Sequence, residues 1–353
     1  MARLEEICAI NMGQSPDSST YNEDGNGLPF FQGNADFGEI YPAVRMWCSE
    51  PTKIAREKDI LISVRAPIGA LNIANCECCI GRGLAALTVN EDICAQEYLW
   101  HALSGKVDEL NSKGTGSTFK AINKKTLSET EIPLPPIDEQ RKIAAILDKV
   151  SDLIAKRQQQ LDKLDEAVKA RFVEIFGDCY TNPHNLPIEK WNNIFSTTTG
   201  KLDSNAAVEN GKYPFFTCSK ETLRINTYAF DQEALLLAGN NAAGKYDVKY
   251  YCGKFNAYQR TYVLSLKHDW SYALFRFQLE DKLGYLEQQS LGGLTKYLTL
   301  KILNELEFIV PPKEEQDKFA AFVDQIEKTK TTVSHSLEKL ETLKKALMQE
   351  YFR

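Results

Sequence analysis

Two stretches of the chain place apolar residues at alternating steps of four and three. The first runs Ile143, Leu147, Val150, Ile154, Arg157, Leu161, Leu164, Val168, Arg171 and Ile175. The second runs Phe319, Val323, Ile326, Lys330, Val333, Leu337, Leu340, Lys344, Leu347 and Tyr351. A seam of this kind over more than four heptads predicts a coiled coil rather than a lone surface helix. The interruptions, Arg157 and Lys330, have long side chains that can snorkel at the seam edge. Both stretches follow a Pro-Pro pair, and Asp138 is expected to cap the first. Elsewhere the period changes. Ile60–Val64, Leu84–Val89, Ala234–Ala238 and Thr261–Leu266 read as buried strands, bounded by Gly, Asn and Pro. Short helices are expected near 95–111 and 271–288.

The helical stretches are copies of one another. Pro135, Pro136, Glu139 and Gln140 recur 176 positions later as Pro311, Pro312, Glu315 and Gln316. The register continues without a gap, since Lys142, Ala144, Ala145 and Asp148 match Lys318, Ala320, Ala321 and Asp324. Looser echoes lie upstream. Asn26-Gly27 before Pro29-Phe30-Phe31 resembles Asn210-Gly211 before Pro214-Phe215-Phe216, and the region of Gly114, Gly116 and Lys120 resembles that of Gly292, Gly293 and Lys296. A period this long is not a solenoid. It predicts two copies of one unit, each a globular head followed by a long helix, with the heads at 1–132 and 178–308 and the helical segments at 133–177 and 309–353. The expected class is α+β. A helix of roughly 37 residues is about 55 Å long. If the seams pack, the second helix must run back antiparallel to the first, with one related head at each end and pseudo-two-fold symmetry.

Composition adds less. The chain has 353 residues, 43% apolar and 25% charged, as in ordinary folded proteins. No apolar run approaches the ~20 residues of a membrane span. The N-terminus lacks the apolar core of a secretory signal, and nine Cys fit reduced thiols in a cytoplasmic protein. The net charge of −6 excludes a strongly basic tail that binds nucleic acid by charge alone. All of it falls in residues 1–137, which hold 12 basic and 18 acidic residues. A DNA reader would then need its positive groups gathered on one face, or a partner to supply them.

Motifs for chemistry are mostly absent. Gly239, Gly244 and Lys245 have P-loop spacing, but Tyr246 stands where the motif needs Ser or Thr, and a strand rather than a helix is expected to follow. Cys76, Cys78 and Cys79 lack a second pair or nearby His, and the four His are scattered. No Gly-x-Ser-x-Gly elbow occurs, and Glu280-Asp281-Lys282 has no preceding Asp partner. The chain reads as non-catalytic. Candidates for polymer contact are the polar and basic residues near turns: Gln32, Asn34, Arg65, Arg82, Lys120, Lys124, Lys125, Thr217, Ser219, Lys220, Lys245, Lys249, Lys254, Arg260 and Lys296. Gln, Asn and Arg can read base edges in pairs of hydrogen bonds, while Lys mostly neutralises phosphate.

The order head–helix–head–helix, the run Pro135-Pro136-Ile137-Asp138-Glu139-Gln140-Arg141-Lys142-Ile143-Ala144 with its copy from Pro311, and the runs Asp59–Gly69 and Tyr213–Lys220 together resemble the specificity subunit of type I restriction-modification systems over essentially the whole length. The resemblance implies that each head is a target recognition domain for one half of a bipartite double-stranded DNA site. It implies a rod that sets the gap between half-sites. It also implies two modification subunits carrying S-adenosylmethionine, restriction subunits using ATP and magnesium, and no cofactor in this chain. Half-sites about one helical turn apart suit two heads on a stiff spacer. A scaffold whose heads bind proteins is the alternative that the acidic first head favours.

Overall fold

The computed structural model describes residues 1–116, 120–242 and 244–352. They form two compact units, residues 1–158 with 335–353, and residues 159–334. Each long helix is thus shared between the two units. The helices span Ile137–Phe176 and Lys313–Phe352, 40 residues each. Each begins at the carbonyl of the second proline. Pro136 O accepts Glu139 and Gln140 N–H at 2.9 and 3.0 Å, and Pro312 O accepts Glu315 and Gln316 N–H at 3.0 and 3.1 Å. Proline suits this position because it has no N–H to leave unpaired. Asp138 is therefore not the cap. It lies inside the first turn, where its charge still complements the helix dipole.

Within the first unit, Ile143, Ala144 and Leu147 from the start of the first helix share a core with Leu347, Met348, Tyr351 and Phe352 from the end of the second. Within the second unit, Val168, Phe172, Ile175 and Phe176 from the end of the first helix meet Phe319 and Val323 from the start of the second. The helices are thus antiparallel in both. Phe172, Phe176, Phe277 and Phe319 pack as an aromatic cluster with centroid separations of 4.4–5.8 Å. Of the seam residues, Ile143, Leu147, Val150, Phe319, Ile326 and Val333 are buried, and Ile154, Leu161, Leu164, Val323, Leu337 and Leu340 are half-buried. Lys330 does more than snorkel. Its Nζ lies 2.8 Å from Asp165 Oδ1 on the other helix and 3.3 Å from Glu327.

The heads share a topology. In the first, an antiparallel sheet runs in the order Cys8–Met12, Leu84–Val89, Ile60–Ser63, Leu71–Ile73. In the second, the order Phe195–Thr199, Thr261–Leu266, Phe230–Ala238, Val248–Ala257 repeats it. The Pro-Phe-Phe segments are equivalent strands. Leu28–Phe31 pairs parallel with Cys78–Ile80, and Tyr213–Phe216 pairs parallel with Val248–Ala257. One ten-residue strand in the second head therefore does what Leu71–Ile73 and Cys78–Ile80 do separately in the first. The four strands expected from sequence all form. Each expected short helix forms as a pair, Gln96–Ser104 with Val107–Ser112 and Tyr272–Asp281 with Leu283–Gln289. From there to the long helices the offset stays at 176, as Lys124–Ser128 and Leu300–Asn304 also show.

Candidate nucleic-acid interface

A cleft of about 410 Å³ opens in the first unit, lined by Phe30, Gln32, Gly33, Asn34, Ala35, Asp36, Arg45, Met46, Ser63, Arg65, Arg82 and Gly83. It gathers four residues that the sequence singled out, Gln32, Asn34, Arg65 and Arg82, from three separate segments. Gln32 continues the strand Leu28–Phe31, and Asn34 opens a short 3-10 turn, Asn34–Asp36. Asp36 Oδ2 accepts the N–H of Gln32 at 2.8 Å, which folds this turn over the strand end. Arg65 follows the strand Ile60–Ser63. The buried Ser63 Oγ lies 2.7 Å from Arg65 O and 2.9 Å from Pro67 O, fixing that turn. Arg82 sits between two glycines. Gly83 N–H donates to Gln32 O at 3.1 Å, and a Cβ on Gly83 would stand 2.5 Å from the same oxygen. Only glycine permits so close an approach of the two backbones.

The charge of this cleft differs from that of the head as a whole. The head is acidic in total, yet its cleft holds three guanidinium groups, Arg45, Arg65 and Arg82, against one carboxylate, Asp36. Asp36 is already engaged by backbone N–H groups, and Arg45 Nη2 donates to Ala35 O at 2.6 Å. Among the described residues neither Arg65 nor Arg82 forms an ion pair, and both are exposed. Arginines held open in a concave wall beside Gln and Asn can donate bidentate hydrogen bonds to base edges or phosphates. Arg45 and Asp36 escaped the sequence reading because the 35–47 loop carries no periodicity that marks it, and Ser63 was legible only as part of the buried strand Ile60–Ser63.

The other candidates are placed as follows. Lys120 O accepts Ala66 N–H at 3.0 Å, which puts Lys120 beside the Arg65 turn, though outside the cleft lining. Lys124 opens the helix Lys124–Ser128, capped by Asn123, and lies apart from the cleft. Lys125 is 3.9 Å from Glu129. In the second unit, Thr217 is buried and its Oγ1 accepts Ser219 N–H at 3.2 Å, so it shapes the turn rather than lining a surface. Lys249 Nζ donates to Ser219 O at 2.7 Å and pairs with Asp247 at 2.6 Å, and Lys254 lies 3.8 Å from Asp231. Those two cations are largely neutralised. Lys220, Lys245 and Arg260 are exposed, Lys296 is half-buried, and none of the four forms an ion pair among the described residues.

Equivalent positions in the two heads can be read from the backbone. Val64 N–H donates to Gly83 O at 2.9 Å, as Gly239 N–H does to Arg260 O at 2.8 Å. The isolated bridge between Arg65 and Ala121 has its counterpart in the pairing of Asn240 with Tyr297. Gln32 and Thr217 each follow the second Phe of their strand. Arg65 therefore answers to Asn240, Gly83 to Arg260, Asn34 to Ser219 and Lys120 to Lys296. The P-loop-like segment belongs to this face. Gly239 ends a strand, Asn240–Asn241 pairs with Lys296–Tyr297, and the next element after Lys245 is the strand Val248–Ala257. Among the described residues, no helix N-terminus is there to hold a phosphate.

The thiols differ from this face in chemistry. All nine Cys are free, and burial pushes Cys8, Cys78 and Cys94 up to about 12. Cys78 and Cys79 are buried within the strand Cys78–Ile80, with Cys76 half-buried beside them. No described helix is long and apolar enough to cross a membrane.

The chain belongs to the family of the type I restriction modification DNA specificity domain, which matches residues 1–166 and 190–342. It is 44% identical over 165 residues to a sequence named as the MjaX type I restriction enzyme specificity subunit of Methanocaldococcus jannaschii, and 35% identical over 162 residues to the EcoDI specificity subunit of Escherichia coli. These segments cover 47% and 44% of this chain but only 39% and 35% of those relatives. The fold is that of a type I restriction-modification S subunit from M. genitalium, with a TM-score of 0.69 over 99% of this chain and 95% of that one at 15% identity.

Proposed function

We propose that this protein is the DNA sequence-recognition subunit of a type I restriction-modification complex. Each head reads one half of a bipartite duplex site. The long helices set the spacing of the halves and dock two modification subunits, and restriction subunits join that assembly. The chain itself does no chemistry. S-adenosylmethionine, ATP and magnesium belong to the partner subunits. The observation that carries this reading is one backbone plan with different side chains on the same face: Asn34 and Arg65 in the first head against Ser219 and Asn240 in the second. Two different half-sites require such a difference, whereas a scaffold with two protein-binding heads does not predict an unpaired arginine pair in an otherwise acidic head.

Footprinting of the complex with its modification subunits tests it. Two protected blocks about one helical turn apart are expected, with affinity that falls steeply as salt rises. One continuous block, or an affinity insensitive to salt, would count against it.

A further inference from the structure

In the second unit, residues 291–297 form a tight hairpin. Leu291 and Tyr297 exchange backbone hydrogen bonds of 3.0 and 2.8 Å, and Gly292 takes φ +104°, a left-handed conformation that favours glycine. At the tip stands Leu294, 96% exposed, with Leu291 and Tyr297 also exposed at its base. A leucine held almost wholly in water on an ordered turn gains nothing for folding. Its surroundings are cationic. Lys296 belongs to the same hairpin, and Gly244 packs on its side chain, with 3.4 Å from Lys296 Cγ to where a Cβ would stand, so Lys245 follows immediately beside it. Glu287 is the nearby carboxylate, against the same glycine. Through its pairing with Asn240–Asn241, the hairpin is rooted in the strand end that answers to Arg65 in the first head.

We infer that Leu294 is an apolar wedge that enters the DNA at a base step beside the half-site read by the second head, while Lys245 and Lys296 hold the flanking phosphates. This deepens the functional reading above and rests on it. Proteins that bind the minor groove frequently insert Leu, Ile, Phe, Met or Pro side chains in this way, partly unstacking a step and kinking the duplex. A specificity term then arises at a step that makes no hydrogen bond to the protein, because flexible pyrimidine–purine steps open more easily than stiff ones. A modification subunit is the other candidate to cover this leucine. The two lysines argue for phosphate instead.

The experiment uses the full complex with its modification subunits and a duplex carrying its methylated site, with 2-aminopurine placed at successive positions through the second half-site and its flanks. The wild type should raise fluorescence at one step that Leu294→Ser abolishes and Leu294→Met retains, and Leu294→Ser should weaken binding roughly tenfold. Because Leu294 is exposed, neither substitution disturbs folding. Fluorescence unchanged by Leu294→Ser overturns the wedge and leaves the recognition reading standing. Loss of modification subunits from Leu294→Ser in size-exclusion chromatography, with DNA unstacking intact in what remains assembled, overturns it in favour of a protein contact. Failure of the wild-type complex to bind its duplex overturns the recognition reading itself, and the wedge with it.

Discussion

Gln140 Oε1 accepts the backbone N–H of Ala95 at 2.9 Å. Its Nε2 donates to Pro135 O at 2.8 Å and Ile93 O at 3.1 Å, and the residue is wholly buried. In the second unit, 176 positions later, Gln316 repeats the arrangement, with Oε1 2.9 Å from Ser271 N and Nε2 2.8 Å from Pro311 O. An amide that donates and accepts at once is the side chain that can latch a short head helix to the start of a long one. This is why the Pro-Pro-x-x-Glu-Gln segment stands in both copies.

Replacing Gln140 by Ala strands a buried N–H and two carbonyls. Removal of such partners costs about 1–3 kcal/mol for each group left unsatisfied, so with three groups stranded urea denaturation should show a loss of at least about 3 kcal/mol. Gln316→Ala should behave alike. Since the two latches lie in different units, their effects should add in the double variant.

Arg65→Ala and Arg82→Ala should each weaken DNA binding by about 1–3 kcal/mol. The salt slope tells what each arginine touches. Removing an arginine that holds a phosphate lowers the slope by about one at every sequence, whereas removing one that reads a base relaxes preference at one position. Binding measured from low to moderate salt on matched and mismatched duplexes separates the two. No change for either arginine would remove the cleft from the interface.

Alkaline conditions should destabilise the first unit. Cys8, Cys78 and Cys94 are held up to about 12 by burial, while unfolded thiols ionise near 8.5. Between those values the unfolded chain has released protons that the folded chain keeps. Stability is therefore full below about pH 8.5 and falls as pH rises towards 12, by at most roughly 1.4 kcal/mol per pH unit for each thiol. Thermal melts from pH 7 to 10 should show a falling Tm, less so in Cys94→Ala. At pH 8 a thiol reagent should modify the exposed Cys252 before any of these three.

The Lys330–Asp165 contact should couple weakly. Burial pulls the Lys330 ammonium down, but its bond to Asp165 and the field of Glu327 outweigh that and raise it. The contribution is present below the ordinary lysine range and is lost above it. Because the pair is partly exposed, a double-mutant cycle with Asp165→Asn and Lys330→Met should give about 0.5–1 kcal/mol. A coupling near zero would return Lys330 to a snorkelling role.

What sequence conveyed, and what it did not, follows from how each feature is encoded. The helices were legible because a 3.5-residue period is written in every turn, and the duplication because Gln140 and Gln316 serve the same buried latch. The four strongest strands were legible as unbroken apolar runs. The short helices were read as single stretches because their breaks, at Gly105-Lys106 and Lys282, interrupt no apolar period. The cleft was legible only in part. Gln32, Asn34, Arg65 and Arg82 stand beside turns and could be nominated, but Arg45 and Asp36 arrive through a loop whose fold depends on hydrogen bonds to distant backbone. In the second head, Thr217 and Lys249 have the right chemistry for contact, yet Ser219 consumes both.

The sharing of each long helix between the units has a consequence for swapping specificities. Phe352 is part of the first head's core, at a ring-centroid distance of 5.2 Å from Tyr98, and Met348 lies under Gly105. A chimera that exchanges only residues 1–158 with a relative therefore grafts a foreign lid onto a resident keel. Successful hybrids must carry the last two turns of the far helix along with the donor head, or match them side chain for side chain.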